Sequence, residues 1–373
     1  MEINVKMKSI MHVRAFYLFF IISSIQLGVG VIGVPSILFM NARQDAWISI
    51  IIAFIYIVVV LLVMFLILNQ YENADIFGIQ VDIFGNWLGK MLGTVYIIYF
   101  AIALLSILIT YIEVIKVFIF PELNNFIMGL LLLSLVVYTV LGGFRVIVGI
   151  CFIFFMLTHW ILFLLIEPAL KMELTHFQPL FQASFTELME GAKSTSYTFT
   201  GIEILFLVYP FIQNKEKVKI PVLLAAFWTM LIVTLTTVIS MGFFAPEQLE
   251  RREWPVLTLF KIQTFSFIER LDYVVVAEWM MIILPNMVLL MWGVTYGMKR
   301  LYKVPQKTSL YLVALMLLIG CTFIDQHFQI QRVINAVDQF GLWLVYVYPF
   351  LLLPLVLIKN KRRKKKGEGI HAK

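Results

Sequence analysis

Apolar runs about as long as a bilayer is thick recur ten times along these 373 residues, and they constrain the fold more than any other feature. An α-helix needs roughly 20 apolar residues to cross the hydrocarbon core. The runs fall at about 15–40, 46–68, 92–119, 124–141, 146–166, 195–213, 219–244, 271–298, 309–323 and 340–358, the ninth being the shortest. Barrel strands would alternate apolar and polar positions instead. With 61% apolar and 14% charged residues and a mean hydropathy of +0.94, a soluble domain is excluded. The chain reads as an all-α, polytopic integral membrane protein. Its first run is longer than a signal-peptide core and is followed at once by another, so it is expected to be a retained helix. Cys151 and Cys321 both lie inside apolar runs and indicate neither a disulfide framework nor a metal cluster.

The net charge of +7 sits mostly in short connections and in the tail, where Lys359, Lys361, Arg362, Arg363, Lys364, Lys365 and Lys366 follow the last run. A basic cluster at that place fixes topology and meets anionic lipid, so the expected surface partner is the bilayer and not nucleic acid. With both termini cytoplasmic, 20 of the 29 lysines and arginines fall on the inner side, which supports that orientation.

Within the first run, Gly28-Val29-Gly30-Val31-Ile32-Gly33-Val34-Pro35 is a poor way to continue a helix. Each glycine costs about 1 kcal/mol relative to alanine and a proline about 3 kcal/mol, so the run is expected to unwind near its middle. Freed backbone groups at membrane depth must be buried in protein or line a wet cavity, although a glycine-rich packing face would carry the same residues. Spans two and three, and again seven and eight, are separated by unusually long amphipathic connections at 71–91 and 245–270. That five-span lag suggests two five-helix repeats, the second inverted because five is odd. It predicts a matching break in the sixth run, where Thr198-Phe199-Thr200-Gly201-Ile202-Glu203 interrupts the apolar stretch and Pro210 ends it. Paired breaks of this kind point to a transporter-like site. The expected organisation is an inner segment at 1–14, repeats at 15–166 and 167–358, and a basic tail at 359–373.

No nucleophile elbow, phosphate loop, zinc spacing or carboxylate pair appears, so neither an enzyme nor a resident cofactor or metal is expected. The chain offers instead a few polar groups at membrane depth, each of which must be paired or functional. Glu203 could hold a ligand ammonium, carry a proton, or cap the second half-helix and tie it to the first break. Glu113 and Lys116 stand at i and i+3, a spacing that suits a salt bridge. Glu278 could face an outer vestibule or another helix, and His159 could be a packing histidine or a proton carrier. Tyr99 and Ala103 share a face near mid-depth, leaving room for a small ligand. Pro285 and Asn286 suggest a further local break with an amide able to reach the centre. Half-helix N-termini suit a carboxylate, whereas free carbonyls and Glu203 suit an ammonium, so a small zwitterion fits both ends; an uncharged polyol would also fit.

Taken in order and spacing, several motifs resemble the B subunits of the spore germinant receptors of endospore-forming bacteria, a branch of the amino acid/polyamine/organocation transporter superfamily. They are Gly28, Gly30 and Pro35; Leu141-Gly142-Gly143; Phe199-Thr200-Gly201-Ile202-Glu203 with Pro210; Trp254-Pro255 with Leu259-Phe260; and Glu269-Arg270-Leu271-Asp272 followed by Trp279. The resemblance spans essentially the whole chain. It implies a LeuT-like fold with ten transmembrane helices, helices 1 and 6 broken, in the spore inner membrane. It also implies work with an A subunit and a lipoprotein C subunit, the B subunit binding a nutrient germinant that is often an amino acid and sometimes a sugar or inositol. The implied pocket comprises the Gly28 and Gly30 backbone, Tyr99, Ala103, Thr200, Gly201 and the Pro285–Asn286 turn, with Glu203 at the acidic position of the sixth-span motif. A permease that carries an amino acid with a coupled ion, and a structural or channel subunit with a vestigial pocket, share these features.

Overall fold

Uninterrupted apolar runs leave the backbone no polar partner but itself, and helix is the outcome throughout. The computed structural model describes residues 2–5, 12–261 and 271–371, so Glu269 and Arg270 of the fifth motif lie outside the described residues. Among the described residues there is no strand beyond two isolated bridges, Asn4 with Ala74 and Val13 with Ile212.

The helices run in chain order as α1 (Leu18–Gln26), α2 (Gly30–Ala42), α3 (Ala46–Leu68), α4 (Ile76–Phe118), α5 (Asn125–Leu141), α6 (Phe144–Thr158), α7 (Ile166–Leu170), α8 (Phe185–Phe199) and α9 (Leu205–Val208). They continue as α10 (Lys219–Phe243), α11 (Pro246–Glu250), α12 (Pro255–Lys261), α13 (Leu271–Tyr302), α14 (Gln306–Phe323), α15 (His327–Gly341) and α16 (Tyr348–His371). Joined across their short links, seven of the described helices are long and apolar enough to cross a membrane. Ala15–Gln26, Asn125–Leu141 and Ile202–Phe211 are shorter apolar helices. Large apolar side chains such as Ile55, Leu131, Leu315 and Met316 are exposed, a belt that lipid rather than water would cover. The chain is an integral membrane protein.

The starts and stops follow local chemistry. Asp75 accepts the Gly78 N–H at 2.7 Å to open α4, and Asn124 accepts from Phe126 and Ile127 to open α5. Ser184 and Glu187 form a reciprocal capping box at the head of α8. The long connection at 71–91 proves helical: most of it is the first part of α4, which bends at Gly85, whose φ of +82° departs from the helix. Glycine alone adopts that angle without strain, so the amphipathic segment and the apolar span are joined at a corner.

Two expectations need correction here. Pro35 does not mark the break in the first run, because it sits inside α2. The chain leaves the helix at Leu27 and resumes it at Gly30, so the first two glycines set the interruption. Nor do Pro285 and Asn286 break their helix, because α13 continues through Pro285 from Leu271 to Tyr302. A missing proline N–H is tolerated where neighbouring helices enclose the kink.

Candidate functional site

The site is built where two helices stop. At the first stop, the Leu27 N–H closes the last turn of α1 onto Ser23 O at 2.9 Å, and the Gly28 N–H turns back to Gln26 O at 3.0 Å. Carbonyls left over at a helix C-terminus need donors. Asn286 supplies them, its Nδ2 donating to Ser24 O at 2.6 Å and to Leu27 O at 3.3 Å. Helix resumes with α2, where the Val31 and Ile32 N–H groups donate to Gly28 O and Val29 O at 3.4 Å, and its start carries the positive end of the helix dipole.

At the second stop, α8 ends at Phe199, and Thr200 swings into an extended conformation with its hydroxyl donating to Tyr197 O at 2.6 Å. Gly201 then adopts φ +106°. The buried Glu203 carboxylate accepts the Gly201 N–H at 2.8 Å and lines the same cavity as Tyr99 of α4. Glu203 thus caps its own break, but it does not tie the two breaks together as one expectation held. Gln26 makes that tie: its Nε2 donates to Phe199 O at 3.0 Å, while its Oε1 accepts from Thr229 Oγ1 at 3.0 Å. The two segments touch so closely that a Cβ on Gly30 would lie 3.0 Å from Thr198 Oγ1, and one on Gly201 2.8 Å from Ile25 Cγ2.

Between them lies a small, partly open cavity. Gly28, Gly30, Tyr99, Ala103, Thr200, Gly201, Glu203 and Asn286 all line it. Pro285 does not. It lines a neighbouring, more apolar cavity on the other side of α1, together with Phe155, His159 and Trp279. Successive helical residues point about 100° apart, and here Asn286 turns to the first cavity and Pro285 to its neighbour. Gln26, Tyr197 and Val337 also line the first cavity although the motif reading passed over them. Gln26 had a signal, because an amide inside an apolar run must find partners. Val337 had none, since it belongs to the amphipathic α15 ahead of the tenth apolar run.

Other polar groups resolve individually. His159 accepts from Trp228 Nε1 on its Nε2 at 3.0 Å, so its proton resides on Nδ1, which faces Phe155 O; this is a packing histidine with both nitrogens engaged. Glu278 accepts from Trp160 Nε1 at 2.5 Å, joining α13 to the segment after α6. Glu113 and Lys116 do not pair. Glu113 meets His327 at 2.9 Å and Lys116 meets Asp325 at 2.6 Å, because both reach across to α15 and the turn before it rather than along α4.

A cavity at two helix interruptions, walled by the Glu203 carboxylate, the Gln26 and Asn286 amides and the start of α2, thus lies inside an integral membrane protein. Residues 12–330 match the family model described as spore germination protein, and the chain belongs to that family. It is 33% identical to the spore germination protein GerQB of Bacillus cereus, over 94% of this chain and 98% of that protein. Spore germination proteins YndE and B2 of Bacillus subtilis are 21% and 22% identical, across 93% and 91% of this chain and 96% and 94% of their own lengths.

Proposed function

We propose that this protein is the B-type subunit of a germinant receptor, that it binds a small zwitterion, most simply an amino acid, in the cavity between the two breaks, and that occupancy triggers germination. The observation that carries the reading is the cavity's polarity. Glu203 is the carboxylate on its wall, and the interruption at Gly28 and Val29 leading into the start of α2 at Gly30 lines it as well. An ammonium and a carboxylate a few ångströms apart would satisfy both ends. A sugar or inositol would use the same hydroxyl and amide groups without the charge. The fold expected with this role has ten spans in two inverted repeats with both termini on the core side of the spore inner membrane. The matching interruptions at Leu27–Val29 and Thr200–Gly201 support it. An A subunit and a lipoprotein C subunit would receive the conformational change, driven by the difference in ligand affinity between two states.

The test is a germination assay on spores carrying Gly28→Val or Thr200→Leu across a nutrient panel, with subunit levels followed by immunoblot. A Cβ at Gly28 has room, its nearest neighbour being Asn286 Oδ1 at 3.6 Å, so valine fills the cavity without breaking the wall. Loss or altered specificity at normal protein level is expected. A wild-type dose response in both variants would move the germinant elsewhere. Paired helix interruptions are also what an alternating-access carrier uses; accumulation of labelled amino acid in proteoliposomes would favour that reading.

A further inference from the structure

Above the cavity, three elements meet through their side chains. Glu113 comes from the outer part of α4, Glu253 from the link between α11 and α12, and His327 from the first residue of α15. His327 Nδ1 lies 2.9 Å from Glu113 Oε1 and 3.5 Å from Glu253 Oε1, and one donor atom from each residue falls within 4.8 Å of the others. Donors around a tetrahedral zinc, with bonds of about 2.1 Å, stand about 3.4 Å apart. The three side chains therefore already have nearly the spacing of a metal's ligands.

The surroundings leave this group short of positive charge. Glu113 is only 13% exposed, and its second oxygen, Oε2, is buried with no hydrogen-bond partner. The cation nearest in sequence, Lys116, is held by Asp325 at 2.6 Å, and Asp325 also accepts from Asn125 at 3.0 Å. Arg252, next to Glu253, stacks its guanidinium over the Phe244 ring at 4.6 Å. Gln331 orients Glu253 by donating to its Oε1 at 3.2 Å. Two carboxylates thus share one half-exposed imidazole. An imidazole with two carboxylates suits a transition metal of the zinc class better than calcium or magnesium, which take oxygen alone.

We propose that Glu113, Glu253 and His327 form a zinc-class divalent metal site that clasps the outer mouth. Its three ligands join α4 and α15, which line the cavity through Tyr99, Ala103 and Val337, to the link that crosses α2. The carbonyl of Glu253 would lie 3.1 Å from a Cβ on Gly33, so a metal held there fastens the link directly over α2.

The test is calorimetric titration of the full chain in detergent with zinc, and with calcium and magnesium for comparison. Saturable binding of one zinc per chain is expected, weakened about tenfold or more by His327→Ala and by Glu253→Gln, and unchanged by His176→Ala. His176, beside Gly242 O and Glu173, is the control for adventitious histidine binding. Glu253 is 40% exposed, so its variant keeps the test valid if another fails to fold. Zinc should also slow amide exchange around residues 113–118 and 327–331 in the wild type. Absence of saturable zinc binding, equal binding by every variant, loss in His176→Ala, or calcium binding as tight as zinc would each overturn the assignment.

Discussion

At Gly201 one missing methyl group decides whether the second break can exist. Its φ of +106° is strained for any L side chain, and a Cβ would press on Ile25 at 2.8 Å. Gly201→Ala is therefore expected to destabilise the protein by about 1–3 kcal/mol, whereas Gly28→Ala, with its nearest neighbour at 3.6 Å, should be nearly neutral. Thermal unfolding in detergent of the two variants side by side checks this; equal shifts would mean that the close approach of the two breaks is wrong. Asn286 makes the complementary case. Asn286→Leu keeps the volume but strips the donors from Ser24 O and Leu27 O, which should cost about 1–3 kcal/mol for buried acceptors left without partners. The glycines were legible in the sequence because their effect is local. Asn286 was legible only as a polar group at depth, since its acceptors lie about 260 positions away.

Among the elements, α8 shows how a helix that is only weakly apolar is held at its ends. Its capping box places the Glu187 carboxylate against the Ser184 N–H at 2.7 Å, and those hydrogen bonds lower the Glu187 pKa. A carboxyl whose pKa falls on folding contributes stability that is complete above its unfolded pKa and is lost as pH drops through the lowered folded value. The first turn of α8 should therefore fray in acid below the ordinary glutamate range and stay closed at neutral pH. Amide exchange of residues 184–190 measured across that range should show the opening, and Glu187→Ala should show it already at neutral pH. Exchange independent of pH in the wild type would mean that the cap is not formed. Local pattern also marked α5, α10 and α14 by their apolar runs. It missed that 76–91 is mostly helical and turns a corner at Gly85 into the apolar span, because a mixed polar stretch does not declare whether a neighbouring core will bury one face.

On the scale of the whole molecule, helices far apart in the chain are bound at their ends by a buried charge network. Asp75, fully buried, accepts from Arg300 Nε at 2.7 Å and from the Tyr296 hydroxyl at 2.6 Å, joining the head of α4 to the tail of α13. The N-terminal segment is drawn in as well, since Arg300 donates to Glu2 O and Ile3 O. Arg300→Met leaves Asp75 buried without its cation, which should cost about 3–5 kcal/mol. Adding Asp75→Asn removes the stranded charge while keeping an acceptor for the α4 cap. The double variant should then be more stable than the single one in thermal unfolding; an additive loss would show that the pair is not coupled.

What the sequence determined by itself was whatever short-range physics dictates. Apolar length made the chain a helical membrane protein, and glycine spacing located the interruptions at Gly28–Gly30 and Thr200–Gly201. Charged ends set the expected orientation. What only the tertiary structure decided was which group answers which. It assigned Gln26 to bridge the breaks, Asn286 to cap the first, Glu203 to cap the second, and Glu113 to His327 rather than to Lys116. The reason is physical: a helix pattern records which residues face inward, whereas hydrogen-bond partners between helices depend on crossing geometry, which no local stretch of chain contains.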